Sequence, residues 1–115
     1  MKPIYVPHLI ADCLSPKLSK LEIKEMLLDI CKLCDMHPIS KPFTVKGIDY
    51  NPGISGFIFI EFSNICIHTF DKEGRTGFNL DVFSCKKFSI PKIIRYLKKR
   101  GVYDIDHRRI WREMK

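Results

Sequence analysis

Apolar and polar residues along this chain repeat with two different periods, and the switches between them mark out the elements. Residues 5–13 alternate, with Val6, His8, Ile10 and Asp12 to one side and Tyr5, Leu9 and Ala11 to the other, which predicts a first strand. Ser15-Pro16 and then Ser19-x-x-Glu22 are helix-start signals, the second a capping box. Ile23, Met26, Leu27, Ile30, Leu33 and Cys34 repeat with the period of a helix that reaches residue 36. His37-Pro38 closes it, because proline pushes the residue before it out of the helical region.

Beyond that point the pattern is mostly period two. Residues 43–50 read as a second strand, Asn51-Pro52-Gly53 as a turn, residues 54–62 as a third strand and 65–70 as a fourth. Residues 71–77 form a glycine-punctuated hairpin loop, and 78–84 a fifth strand. Ser89 caps a second helix with Ile90, Ile93, Ile94 and Leu97 inward, Gly101 stops it, and 102–111 is the last strand. The order is β, α, four strands, α, β, with no repeat and no linker, so residues 1–115 make one domain. Each helix has a single apolar stripe, and the central strands bury at least one face. That pattern predicts an α+β fold, a two-layer sandwich with an antiparallel sheet packed on two helices.

Composition narrows the function classes. With 115 residues, 45% of them apolar and 29% charged, the chain can build a real core. No run approaches the roughly 18–20 apolar residues of a membrane span. Met1-Lys2-Pro3-Ile4-Tyr5 lacks the apolar stretch of a secretion signal, so a cytoplasmic address and no membrane partner are expected. Five cysteines, an odd number, argue against a disulfide framework. Cys31-x-x-Cys34 has half of a zinc or redox spacing, but it lies inside the helical pattern and no second pair follows. Core thiols and no metal are the expectation. The net charge of +7 gathers late, in Lys98-Lys99-Arg100 and from Arg108-Arg109 to Lys115. No nucleic-acid motif and no interleaved aromatic platform accompany it, so a solvated face is expected rather than a nucleic-acid partner.

The candidate chemistry sits in the stretch from Gly53-Ile54-Ser55-Gly56 through Phe62-Ser63-Asn64 to His68-Thr69, echoed by Asp81-Val82-Phe83-Ser84-Cys85. Singly, each residue has an ordinary reading: a turn serine, a surface histidine, a buried thiol. Together their spacing resembles the pyruvoyl-dependent S-adenosylmethionine decarboxylases of the small one-domain prokaryotic form. Those proteins read Gly-x-Ser-Gly, then Glu-Ser-His-x-x-x-His-Thr, then Asp-x-Phe-x-Cys. His8-Leu9-Ile10-Ala11-Asp12 also resembles their opening His-Leu-x-Ala-Glu. The resemblance covers most of the chain and is densest from Gly53 to Cys85.

The resemblance implies self-cleavage between Phe62 and Ser63. The Ser63 hydroxyl attacks the Phe62 carbonyl, a shift that is uphill unless the backbone is strained and the developing oxyanion is bound. Ser55 is a candidate donor to that oxyanion, and His68 has the intrinsic pKa for proton transfer near neutrality. Strand geometry alone does not return either residue to Ser63, so a distorted or bulged backbone is expected between them. Elimination then leaves a covalently bound pyruvoyl group, derived from Ser63, that forms a Schiff base with the substrate amine and draws electrons as CO₂ departs. The family's proton donor falls on Cys85, a role suited to a thiol with an ordinary pKa of about 8.5.

Departures cluster around the substrate. Phe62 stands for the family's Glu, Asn64 for His, Phe70-Asp71-Lys72 for Trp-Pro-Glu, and Lys86 for Gly. The family's Glu holds ribose hydroxyls that Lys72 cannot serve, so Glu73 or Asp71 is expected to take over, with Asp12 as a further substrate-binding carboxylate. The implied function is a self-processing S-adenosylmethionine decarboxylase proenzyme of spermidine biosynthesis, acting as a homodimer. A pyruvoyl decarboxylase of another amino acid, such as arginine or ornithine, and an unprocessed homologue that binds a partner are the alternatives.

Overall fold

The computed structural model describes residues 4–61 and 63–114. Its elements are β1 (Ile4–Leu14), α1 (Lys20–Leu33), β2 (Phe43–Ile48), β3 (Asn51–Ile60), β4 (Ser63–Lys72), β5 (Arg75–Phe83), α2 (Ile90–Lys99) and β6 (Asp104–Met114). The strands make one antiparallel sheet in the order β2-β3-β4-β5-β1-β6. Alternate residues point to one face: Leu9, Ala11 and Cys13, Ile58 and Ile60, Ile65 and Ile67, then Phe78, Leu80 and Val82. They join a single core with Met26 and Ile30 of α1 and Ile93 and Leu97 of α2. Both helices therefore cover the same face, giving the two-layer α+β sandwich that the pattern predicts. Among the described residues no helix or strand covers the opposite, outer face. Phe43, Val45, Phe59 and Ile110 stand on it 41, 59, 45 and 45% exposed. Among the described residues no helix is long and apolar enough to cross a membrane.

Local chemistry sets the element ends. Ser19 Oγ accepts from the Glu22 N–H at 3.1 Å and the Ser19 N–H donates to Glu22 Oε1 at 3.0 Å, closing the capping box at the start of α1. The other end departs from expectation. Asp35 takes φ of 52°, and the Met36 N–H reaches back to the Cys31 carbonyl at 2.8 Å. This left-handed closure ends the helix at Leu33, before His37-Pro38 can act.

The hairpins are tighter than the sequence suggests. The expected turn at residues 51–53 is strand instead, because an irregularity between Lys46 and Ile48 moves the reversal back to Asp49 and Tyr50. The expected loop at 71–77 shrinks to Glu73-Gly74, both at positive φ (53° and 76°) as a two-residue hairpin demands. Gly77 lets the strands continue to that turn, since a Cβ there would lie 2.0 Å from the Cys13 carbonyl oxygen.

Candidate active site

Ser63 opens β4, opposite Ile60 across the β3–β4 hairpin. Its Oγ accepts a hydrogen bond from the backbone N–H of Cys85 at 2.9 Å. The contact follows from the sheet: β4 and β5 are neighbours with Asn64 paired to Phe83, so the chain leaving β5 passes the start of β4. Cys85 is half-buried beside a cleft of about 230 Å³, which Met36, Ile60, Glu61 and Lys86 also line. Two basic side chains tie down the segment that carries the thiol. Arg112 Nη2 donates to the Ser84 carbonyl at 2.6 Å while its guanidinium lies 4.1 Å from the Phe83 ring centre. Lys86 Nζ donates to the carbonyl of Asp35, at the C-terminal closure of α1. Phe62, the expected residue before the cut, lies outside the described residues.

A second constellation crosses the outer face further along the same hairpin. Ser55 Oγ and His68 Nδ1 are hydrogen-bonded at 2.8 Å, on residues paired directly across β3 and β4. Thr69 Oγ1 accepts from the Ile54 N–H at 2.8 Å, so the His-Thr pair holds two successive residues of β3. Behind Ser55, Gly56 meets α1. A Cβ at that glycine would lie 2.2 Å from Ile23 Cγ2, which is why no larger residue fits there. The row continues through Asn79, opposite His68, to Asp12, whose Oδ1 accepts from Asn79 Nδ2 at 2.6 Å.

The two constellations do not meet within one chain. Pairing runs without a break from Ser55–His68 to Ile60–Ser63, five residues, or about 16 Å at the rise of a strand. The expected distortion between Ser63 and His68 is absent, because both strands have unbroken apolar alternation on the core face and any slip would expose it. Asp71 lies three residues beyond His68, still further from Ser63, and Glu73 sits exposed at the hairpin tip. Asp12 alone of the three expected carboxylates shares the histidine's row.

Cys31 and Cys34 lie in the core, where burial pushes both thiols up to about 11. Burial, helped by Asp12, raises Cys13 to about 12. Sequence reasoning passed over Asn79, the His8–Asp81 hydrogen bond of 2.8 Å and the Arg112 bracket. The signal for the first two was available: Asn79 and Asp81 interrupt Phe78, Leu80 and Val82 with polar groups on the face no helix covers.

Comparison with known proteins supplies the family. The sequence profile described as S-adenosylmethionine decarboxylase matches residues 7–112. S-adenosylmethionine decarboxylase proenzymes of Clostridium botulinum, from the Langeland (type F) and Okra (type B1) strains, are each 32% identical over 102 residues. Each match spans 84% of this chain and 83% of the relative. The crystal structure of the adenosylmethionine decarboxylase from Aquifex aeolicus VF5 superposes with a TM-score of 0.71 at 22% identity. That match covers 100% of this chain and 95% of the other, a likeness of fold. With nearly its whole length matched, this chain belongs to the S-adenosylmethionine decarboxylase family.

Proposed function

We propose that this chain cuts itself between Phe62 and Ser63 and then decarboxylates S-adenosylmethionine, in the cytoplasm, as a step toward spermidine. The observation that carries the reading is the hydrogen bond of 2.9 Å from the Cys85 N–H to Ser63 Oγ. It joins the serine that would be cut to the backbone of the residue whose thiol would return a proton, although 22 residues separate them. Ser63 Oγ adds to the Phe62 carbonyl carbon, its proton passes to the leaving amide nitrogen, and the peptide becomes an ester. A base then takes the Ser63 Cα proton, and the Phe62 carboxylate departs with Oγ. The dehydroalanine left behind tautomerises to an imine, and water displaces ammonia from it to leave the pyruvoyl group implied by the family, at the head of β4 where the ladder anchors it. That group supplies the carbonyl that draws electrons when CO₂ leaves. Cys85 holds the proton that returns to carbon.

Ser55 and His68 serve Ser63 from a second copy in this reading. They lie about 16 Å from their own Ser63 and on the uncovered face, whose exposed Phe43, Val45, Phe59 and Ile110 would be buried by pairing two chains. Asp12, on the histidine's row, would arrive with that partner pair and place a carboxylate near the sulfonium cation. Intact mass after incubation tests the core of the proposal. Fragments 1–62 and 63–115 are expected, and a single full-length species overturns it.

A further inference from the structure

At the far end of β3 and β4 from Ser63, a groove of about 780 Å³ opens between the chain entering α1 and the β2–β3 hairpin. Three stretches of sequence bring four lysines to it: Lys17 and Lys20 around the start of α1, Lys46 from β2 and Lys72 at the end of β4. Asp71 is the one carboxylate among its lining residues. Among the described residues none of the four lysines is in an ion pair. The ion pairs among the described residues are His8–Asp81, Lys86–Asp35 and Arg100–Glu25.

Four ammonium groups around one concavity repel each other, and a low-dielectric wall concentrates their field into the space between them. Leu18 and Ile54 supply such a wall, while Tyr50, 88% exposed, stands at the rim. The start of α1 adjoins the groove through Lys17, Leu18 and Lys20. The field of the lysines repels a sulfonium substrate, so the groove has no part in holding one. Its volume is that of a ligand site rather than of a single ion.

We propose that the groove binds a small anion carrying two or more phosphate groups, held by Lys17, Lys20, Lys46 and Lys72. The inference stands independently of the decarboxylase reading. Two sources share this chemistry, a free polyphosphate and a nucleoside polyphosphate, and an aromatic ring at the rim would favour the second.

Isothermal titration of the full chain with tripolyphosphate and, separately, with ATP tests it. Saturable one-site binding is expected for both, weakening as salt rises from low ionic strength to about 0.15 M. Reversing two groove charges with Lys20→Glu and Lys46→Glu should weaken binding about tenfold or more, as loss of charge-assisted contacts would. Lys20→Gln with Lys46→Gln should act in the same direction and guards against repulsion as the sole cause. The matched control, Lys98→Glu with Lys99→Glu on α2, makes the same net change away from the groove and should leave binding intact. Tighter binding of ATP that Tyr50→Ala brings down to the tripolyphosphate value marks a nucleoside ligand, and equal binding marks a phosphate-only site. Absence of saturable binding to either probe, or equal weakening by groove and control reversals, overturns the proposal.

Discussion

The two ends of the β3–β4 hairpin hold different kinds of neighbour, and distance along the chain misleads at both. At the start of β4, Ser63 touches the backbone of Cys85, 22 residues on, because an adjacent strand returns to the same edge. His68 is only five residues from Ser63 yet about 16 Å away, since a strand spends every residue on extension. His68 instead meets Ser55, 13 residues back, across the ladder. A sheet makes near neighbours of residues equidistant from a turn and separates residues close in sequence. Ser63 and Cys85 therefore meet within one copy, while the Ser55–His68 pair faces outward on the uncovered side of the sheet.

The sharpest way to break this contrast is to disable each end in a different chain. Ser63→Ala should abolish cleavage completely, read by intact mass. His68→Ala should do the same as a homodimer. Co-expressed, the two variants should restore cleavage, and only the chain carrying His68→Ala should be cut, because it alone keeps the serine. Failure of the mixture to yield any fragment 63–115, despite mixed assembly, would return His68 to its own chain's serine and sink the outward-facing reading. Cys85→Ala touches the other end. It should leave cleavage in place and lower turnover by about a hundredfold, the scale of a lost general acid. Full CO₂ release by that variant would remove Cys85 as the proton source.

How much of this was legible in advance differs between the two ends for a physical reason. Periodicity identified the core strands and both helices, because Ile58, Ile60, Ile65, Ile67, Leu80 and Val82 alternate over a covered face. The register of the hairpins was not readable in the same way. Glu73 adopts a conformation that favours glycine or asparagine, so residues 71–77 look like a loop when only two of them turn. Asp35 likewise ends α1 without the glycine that normally announces such a closure. The meeting of Ser63 with Cys85 depends on register, and so does the gap between Ser63 and His68. The residue types pointed to the chemistry; only the ladder showed which of them share an end.

Packing offers a gentler perturbation of the Ser55–His68 end. Gly56→Val drives side-chain atoms into Ile23 and Leu27, and overpacking of this kind costs about 1–3 kcal/mol. A lowered urea midpoint with weakened cleavage is expected, since the neighbouring Ser55 must shift with the strand. An unchanged midpoint would mean that α1 can move aside. The thiols give a pH test of the same core. Cys13, Cys31 and Cys34 ionise near 9.0 when unfolded but are raised by burial to about 12, 11 and 11 when folded. Raised folded values mean the unfolded chain releases these protons first. Their contribution to stability is thus complete below pH 9 and is lost as pH climbs toward 11 and 12. The urea midpoint should fall across that window, and Cys31→Ala should lessen the slope.

The smallest effect belongs to the cap of α1, and it asks whether the two ends are energetically separate. Ser19→Ala removes the Oγ acceptor for the Glu22 N–H at a cost of about 1 kcal/mol, while the Ser19 backbone N–H that chiefly holds the Glu22 carboxyl below its usual range stays. The capped end adjoins the lysine groove, whereas the other end of α1 meets Lys86 beside the Cys85 cleft. Fourteen helical residues, about 20 Å, lie between them. At that range substitutions without shared partners add independently. Ser19→Ala should therefore lower the melting temperature by a few degrees while leaving the rate of cleavage at Ser63 unchanged. A slowed cut at full folded population would mean that α1 transmits strain from one end of the hairpin to the other, and the contrast between the ends would then be one of position without independence.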